Sequence, residues 1–131
     1  MTRSELREHL FRMLFRVEFH SPEEYDEQMK LYTSALADPS EKELSYLIGK
    51  SAKVIEKIAE IDQLLNDTVV GWKTDRMGRV ELTLLRLAYY EIKYDEDVPT
   101  GVAINEAVEL AKRYGTPESA SFINGVLAKL I

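Results

Sequence analysis

Residues 98–115 constrain the fold more than any other stretch, because they predict a complete helix with a signal at each end. Pro99 makes the entry extended, and Thr100 can then cap the free N–H groups of the first turn. Gly115 is expected to take the left-handed conformation that ends many helices. Between these ends lies an apolar stripe at helical spacing: Ala103, Ile104, Ala107, Val108, Leu110, Ala111 and Tyr114. Its alanines recur every four residues, so another helix can approach this face closely.

Helix signals recur along the rest of the chain. Three of them are capping boxes, in which Ser or Thr is followed three residues later by Glu: Thr2 with Glu5, Ser21 with Glu24, and Ser40 with Glu43. The predicted helices are 3–19, 21–37, one from Ser40 past Ile58, a short one from Asp62 to about Gly71 and Trp72, 80–92, 101–114, and one after Glu118. Helix 80–92 is apolar nearly all round, so it should lie centrally. Trp72 is interpreted as a core or boundary residue.

The composition favours one globular domain in a reducing compartment. The chain has 131 residues, of which 45% are hydrophobic and 31% are charged, and it contains no cysteine. No apolar run approaches the length that crosses a bilayer, and the N-terminus lacks the layout of a signal peptide. We therefore expect a cytoplasmic protein without a membrane partner.

The charge is unevenly distributed. The formal net charge is −6, and residues 18–43 alone hold eight acidic side chains against two lysines. The first seventeen residues hold four arginines against two glutamates. Nonspecific coating of nucleic acid needs clustered cations and is disfavoured, but a basic arm beside an acidic flank leaves room for a local RNA site.

Chemistry on a substrate has no support in the sequence. His9 and His20 are eleven residues apart and lack acidic neighbours at metal-ligand spacing. No glycine-rich phosphate loop, nucleophile elbow or dinucleotide fingerprint occurs. We expect a binding protein that is not an enzyme and has no metal or cofactor.

The first helix carries one candidate surface. Arg3 and Arg7 lie along an edge of its core stripe, and Phe11 and Phe15 continue away from the core toward Arg12. Aromatic rings in such a place can stack bases while arginines hold phosphates. The alternative is that another helix covers both phenylalanines, and spacing alone favours this alternative because large apolar groups are usually buried.

The C-terminal half offers further candidates. Arg86 is equally compatible with a structural ion pair and with a phosphate contact. The face containing Glu81 and Leu85 is a partner-docking surface if no helix of this chain covers it. Phe122 lies at the edge of the last stripe beside Gly125, as a boundary core residue or a base-stacking one.

Three ordered blocks resemble the C-terminal signature of the NusB family of bacterial transcription antitermination factors. They are Leu-Arg-Leu-Ala-Tyr-Tyr-Glu at 85–91, the helix at 98–115, and Phe-Ile-Asn-Gly-Val-Leu at 122–127. The resemblance is close over the last third of the chain and looser elsewhere. It implies an all-α, NusB-like helical bundle of about six to seven helices in two subdomains, with residues 1–131 forming a single RNA-binding domain.

The resemblance also implies a function and a set of site residues. Family members bind the boxA element of nascent ribosomal RNA together with NusE, a small-subunit ribosomal protein, on an RNA polymerase antitermination complex. The resemblance, together with positions at the edges of the apolar stripes, assigns RNA binding to Arg3, Arg7, Phe15, Arg86, Lys112 and Phe122. It assigns partner binding to Glu81 and Leu85. The arginine cluster is thinner than is usual in the family, and Phe15 stands where tyrosine is common.

Two questions stay open at this point. The alternative function is a helical protein-interaction module that lacks RNA binding and uses the Glu81 face alone. The sequence also does not decide between a monomer and a homodimer.

Overall fold

Helices account for the regular structure of this chain. The computed structural model describes residues 1–69, 71 and 73–131, which contain no strand. The α-helices in this part are α1 (Arg3–Phe15), α2 (Tyr25–Ser34), α3 (Glu41–Glu56), α4 (Ile58–Thr68), α5 (Arg79–Tyr94), α6 (Thr100–Tyr114) and α7 (Ser119–Leu130). The predicted all-α fold of about six to seven helices is therefore confirmed. The prediction for Trp72 lies outside the described residues.

The chain divides into two compact units, as the sequence predicted. Unit 1 is Met1–Glu56 and unit 2 is Lys57–Ile131. Among the described residues, no helix combines the length and the apolar character that a membrane span requires.

Unit 1 is built from α1, α2 and α3, which pack against one another. Its buried apolar side chains include Leu10, Met13, Leu14, Met29, Leu47 and Val54. Burial of each large aliphatic side chain stabilises the fold by about 1.5–3 kcal/mol, which makes this cluster the principal stabilising element of the unit.

Reciprocal capping boxes begin the helical segments of unit 1. The N–H of Glu5 donates to Thr2 Oγ1 at 3.0 Å, and the N–H of Thr2 donates to Glu5 Oε1 at 2.9 Å. Ser40 and Glu43 repeat this arrangement, and Glu24 accepts from the backbone N–H of Ser21 at 3.0 Å. The hydrogen bonds from Thr2 and Ser21 lower the pKa of Glu5 and Glu24. The predicted helix starts after Thr2 and Ser40 are confirmed. The capping box at Ser21 is also present, but it begins a 3-10 helix, Pro22–Glu24, and the α-helix starts at Tyr25.

Several predicted helix ends are wrong. The α-conformation of α1 ends at Phe15, and residues 16–19 form a 3-10 helix. Similarly, α2 ends at Ser34 rather than near residue 37. The chain also breaks at Lys57 (φ −100°, ψ 0°), so Ile58 begins α4 four residues before the predicted start. No glycine or proline marks that break, so pattern reasoning had nothing to find there.

Unit 2 surrounds α5. Every residue from 82 to 91 is buried, and α4, α6 and α7 all contact this helix. The alanines Ala103, Ala107 and Ala111 of α6 are buried too, as their spacing predicted. Glu91 is fully buried as well. The central position predicted for helix 80–92 is confirmed.

The junction between α6 and α7 differs from the prediction. Thr100 is the first helical residue rather than the cap, and Gly115 is extended (φ −101°, ψ −161°) rather than left-handed. Glycine is needed for space: a Cβ at residue 115 would lie 2.5 Å from Ser119 Oγ and 2.8 Å from the carbonyl oxygen of Ala111. Ser119 Oγ accepts the N–H of Thr116 at 2.9 Å, which fixes the turn.

Gly115→Ala should destabilise the protein by about 1–3 kcal/mol, because the backbone oxygen of Ala111 cannot yield cheaply to the added methyl group. Gly125→Ala is the matched control in α7. A Cβ there meets nothing within 4 Å, so it should stabilise by about 0.5–1 kcal/mol through helix propensity. Chemical denaturation measures both, and equal effects in the two variants would contradict the steric argument.

The variant Glu5→Gln/Glu24→Gln should flatten the acid dependence of stability. Glutamine preserves a capping box but does not titrate. In the folded protein the pKa of both glutamates lies below the ordinary value of 4.5. Their contribution to the free energy of unfolding is therefore complete above pH 4.5, and it is lost as the pH falls through the folded pKa. The free energy of unfolding should therefore fall less between neutral and acidic pH in the variant than in the unmodified protein. Parallel pH profiles would refute this prediction.

Candidate nucleic-acid interface

The residues predicted to bind RNA lie in both units. In unit 1, Arg3 is exposed at the start of α1 and Phe15 is half-buried at its end. Arg7 is only 7% exposed. The burial of Arg7 argues against its predicted role as a solvent-facing phosphate contact, so we correct that assignment.

An aromatic row extends from the core of unit 1 to its surface. Phe11 is buried, its ring centroid lies 5.9 Å from that of Phe15, and the Phe15 centroid lies 5.3 Å from that of Phe19. Phe19 is 53% exposed. The inner ring, Phe11, is therefore covered, whereas Phe15 is half-buried and the outer ring is exposed, and base stacking by Phe15 stays a prediction. Phe19 is not among the predicted site residues, although its spacing of four from Phe15 could have revealed it.

Two arginines flank this row. The Arg12 side chain is exposed and lies 3.4 Å from Glu8 Oε2. Arg16 is held in place, because its guanidinium lies over the ring of Tyr32 at 5.2 Å and donates to Gln28 Oε1 at 2.9 Å. An exposed ion pair such as the one between Arg12 and Glu8 contributes little to stability.

In unit 2, Arg86 has a structural partner. Its Nε and one terminal nitrogen donate to the two carboxylate oxygens of Asp62 at 2.8 and 2.7 Å. This bidentate geometry is among the stronger ionic arrangements in proteins, and Arg86 is only 8% exposed. Of the two roles that the sequence left open, the structure supports the ion pair, and the predicted phosphate contact is corrected.

Leu85 is fully buried, at 0% exposure. The condition attached to the Glu81 face was that no helix should cover it, and this condition fails at Leu85 because residues 82–91 of α5 are all buried. Leu85 therefore belongs to the core of unit 2, and the prediction that it contacts a partner is corrected.

Glu81 and Phe122 lie together in one pocket of about 230 Å³. Its lining comprises Met77, Gly78, Glu81, Thr116, Glu118, Ser119 and Phe122. Ser119 Oγ donates to Glu81 Oε1 at 2.5 Å, which fixes the carboxylate. Glu81 Oε2 lies against Gly78, in space that a side chain at residue 78 would occupy. The sequence assigned these two residues to different surfaces, whereas the fold brings the start of α5 and the start of α7 together.

The chemistry of this pocket combines carboxylates with an aromatic ring. Glu81 Oε2 has no hydrogen-bond partner among the described residues, and Glu118 is exposed at the rim. Phe122 is half-buried and Met77 is buried. The volume is below the 300–1,000 Å³ that is typical of small-molecule sites, so the pocket suits one base or one side chain.

Lys112 is exposed on α6 and does not line that pocket. Its Nζ lies 3.3 Å from Glu109 Oε1 in a pair that is exposed on both sides. Such a pair contributes little, so Lys112 is available to a phosphate. Within the part of the chain that the structure describes, no group of three His, Asp or Glu side chains could hold a metal ion.

Comparisons with known proteins agree on one family. The sequence pattern of the NusB family matches residues 4–131. The transcription antitermination protein NusB of Agathobacter rectalis is 54% identical over 129 residues, or 98% of each chain. Its counterpart from Lachnoclostridium phytofermentans is 53% identical over 131 residues, covering 100% of this chain and 99% of the relative.

Solved structures give the same result. NusB of T. maritima matches with a TM-score of 0.86 at 30% identity, covering 99% of this chain and 90% of that one. A chain in the crystal structure of a plectonemic RNA supercoil matches with a TM-score of 0.78 at 26% identity, covering 96% and 91%.

The structural role of Arg86 is testable by a double-mutant cycle. Asp62→Ala and Arg86→Met should each lower the free energy of unfolding, and the double variant should lose less than the sum by roughly 0.5–3 kcal/mol. Denaturant titration of the four proteins measures this coupling. Strict additivity would show that the two side chains do not stabilise each other.

Proposed function

The chain belongs to the NusB family, and from this premise we propose that it is a transcription antitermination factor that binds boxA-type RNA together with NusE. The carrying observation is that relatives named transcription antitermination protein NusB match essentially the whole chain at 53–54% identity. The mechanism is binding without chemistry on a substrate, and its place is an RNA polymerase antitermination complex in the bacterial cytoplasm.

RNA binding is supported by aromatic rings and cations at exposed places in each unit. In unit 1, Arg3 is exposed, and the Phe15 ring leads outward to the exposed Phe19 ring. In unit 2, Phe122 lines the pocket and Lys112 is exposed. Ring faces can stack unpaired bases of any sequence, while the cations replace counterions on the phosphates.

Partner binding is supported by the geometry of Glu81. Ser119 holds one carboxylate oxygen, so the other is presented at the pocket in a fixed direction. A carboxylate fixed in this way costs little conformational entropy when it accepts a hydrogen bond from a basic side chain. NusE, as a ribosomal protein, is the partner we propose for this position.

The second candidate function is a protein-interaction module without RNA binding. The acidic pocket favours it, since Glu81 and Glu118 attract a cationic side chain and repel a phosphate. The two functions differ in their response to salt, because phosphate contacts weaken steeply as ionic strength rises.

Fluorescence anisotropy of a labelled boxA-type RNA, with and without NusE at two salt concentrations, tests the proposal. We expect binding that tightens with NusE and weakens with salt. Phe122→Leu keeps an apolar side chain but removes the ring face, and it should cost about 1–3 kcal/mol of RNA affinity, the usual value for one stacked base.

Val102→Ala serves as the control, because Val102 is an exposed apolar residue of α6 outside the pocket. It should leave RNA affinity unchanged. Equal affinity of Phe122→Leu and the unmodified protein, both folded, would remove Phe122 from the RNA surface. Absence of RNA binding in every arm would favour the protein-interaction module.

A further inference from the structure

The end of the connector between α4 and α5, together with the first residue of α5, is basic in an otherwise acidic chain. Residues 73–79 contain Lys73, Arg76 and Arg79 against the single acid Asp75, whereas the whole chain has a net charge of −6. None of these three cations belongs to the predicted RNA surface, although the segment leads directly into the pocket that contains Phe122.

This basic segment is held by hydrogen bonds at its start. Lys73 Nζ donates to the carbonyl oxygen of Asn66 at 3.0 Å, and the N–H of Thr74 donates to Asn66 Oδ1 at 2.8 Å. The N–H of Arg76 then donates to the carbonyl oxygen of Lys73 at 2.9 Å, which closes a 3-10 turn. Met77 follows and is buried. Arg76 thus stands on a backbone that is fixed on both sides.

The Arg76 side chain is available for a ligand. It is exposed, and its guanidinium makes no ion pair or hydrogen bond with any residue that the structure describes. A guanidinium matches a phosphate bidentately, and a fixed backbone reduces the entropy lost on binding. Lys73, by contrast, already uses its ammonium group to hold the turn.

A cation at residue 76 lies next in sequence to the pocket, where it can attract a phosphate of bound RNA. Arg76 directly precedes Met77 and Gly78, which line the pocket beside Glu81 and Phe122. A base that stacks on Phe122 can donate its amino hydrogens to Glu118 at the rim of the pocket, while Glu81 remains for the protein partner. Its phosphate, however, is repelled by the same carboxylates and has to lie outside the pocket, near a positive charge.

We propose that Arg76 binds the phosphate of the nucleotide whose base occupies the Phe122 pocket. The proposal rests on the RNA-binding function proposed above and adds to it a contact residue on the connector between α4 and α5. Because phosphate contacts carry no sequence information, Arg76 contributes affinity and position to the complex, and the choice of base stays with the pocket.

The test is the salt dependence of RNA affinity for the full-length protein with NusE present. Arg76→Ala should weaken binding and reduce the slope of log K against log salt by about 1, as expected for one lost phosphate contact. Arg76→Lys should retain most of the slope. Lys53→Ala, which removes an exposed lysine from α3, is the charge-matched control and should change neither quantity.

Combining Arg76→Ala with Phe122→Leu tests whether both contacts serve one nucleotide. The loss in affinity of the double variant should be smaller than the product of the two single losses, because removal of one contact frees the nucleotide from the other. If the affinity loss of the double variant equalled the product of the two single losses, the claim that Arg76 and Phe122 contact the same nucleotide would be overturned.

Failure of this inference and failure of the proposed function are distinguishable. If the unmodified protein binds RNA and Arg76→Ala binds with the same affinity and slope, the Arg76 contact is overturned and the proposed function stands. If the unmodified protein binds no RNA, both are overturned.

Discussion

The burial of α5 is the constraint on which unit 2 depends. Ten consecutive residues, 82–91, are buried, so this helix has no outward face and its neighbours have to cover it on every side. Such a helix cannot take part in recognition along its length. Glu81 in its first turn is only half-buried and meets the start of α7, and it is on this turn and on the segment before it that we propose recognition.

Local signals made much of the fold predictable. Capping boxes such as Thr2 with Glu5 act within three residues, and the alanine stripe of α6 follows from helical periodicity. The error at Gly115 has a different origin. A glycine is required at residue 115 because a side chain there would clash with Ser119 and with the carbonyl oxygen of Ala111, one turn earlier. The requirement is for space, so the residue type alone did not reveal the extended backbone conformation.

The candidate site was less predictable, because its residues depend on neighbours distant in sequence. Arg86 pairs with Asp62, twenty-four positions earlier, and no periodic pattern connects them. Glu81 and Phe122 share a pocket although they were assigned to separate surfaces. The position of Phe122 relative to the apolar stripe of its helix correctly predicted a residue at the boundary of the core. The same kind of reasoning could not tell which residues a neighbouring element covers, and Leu85 and Arg7 are both buried.

The capping boxes of unit 1 also bear on how the chain folds during synthesis. Each box closes within a few residues, so a helix start can form as soon as it leaves the ribosome, without waiting for distant partners. Unit 1 is moreover a continuous N-terminal segment. Its helices can therefore associate while the ribosome is still adding the residues of unit 2. This agrees with the general observation that domains fold as units, the N-terminal one first, during synthesis.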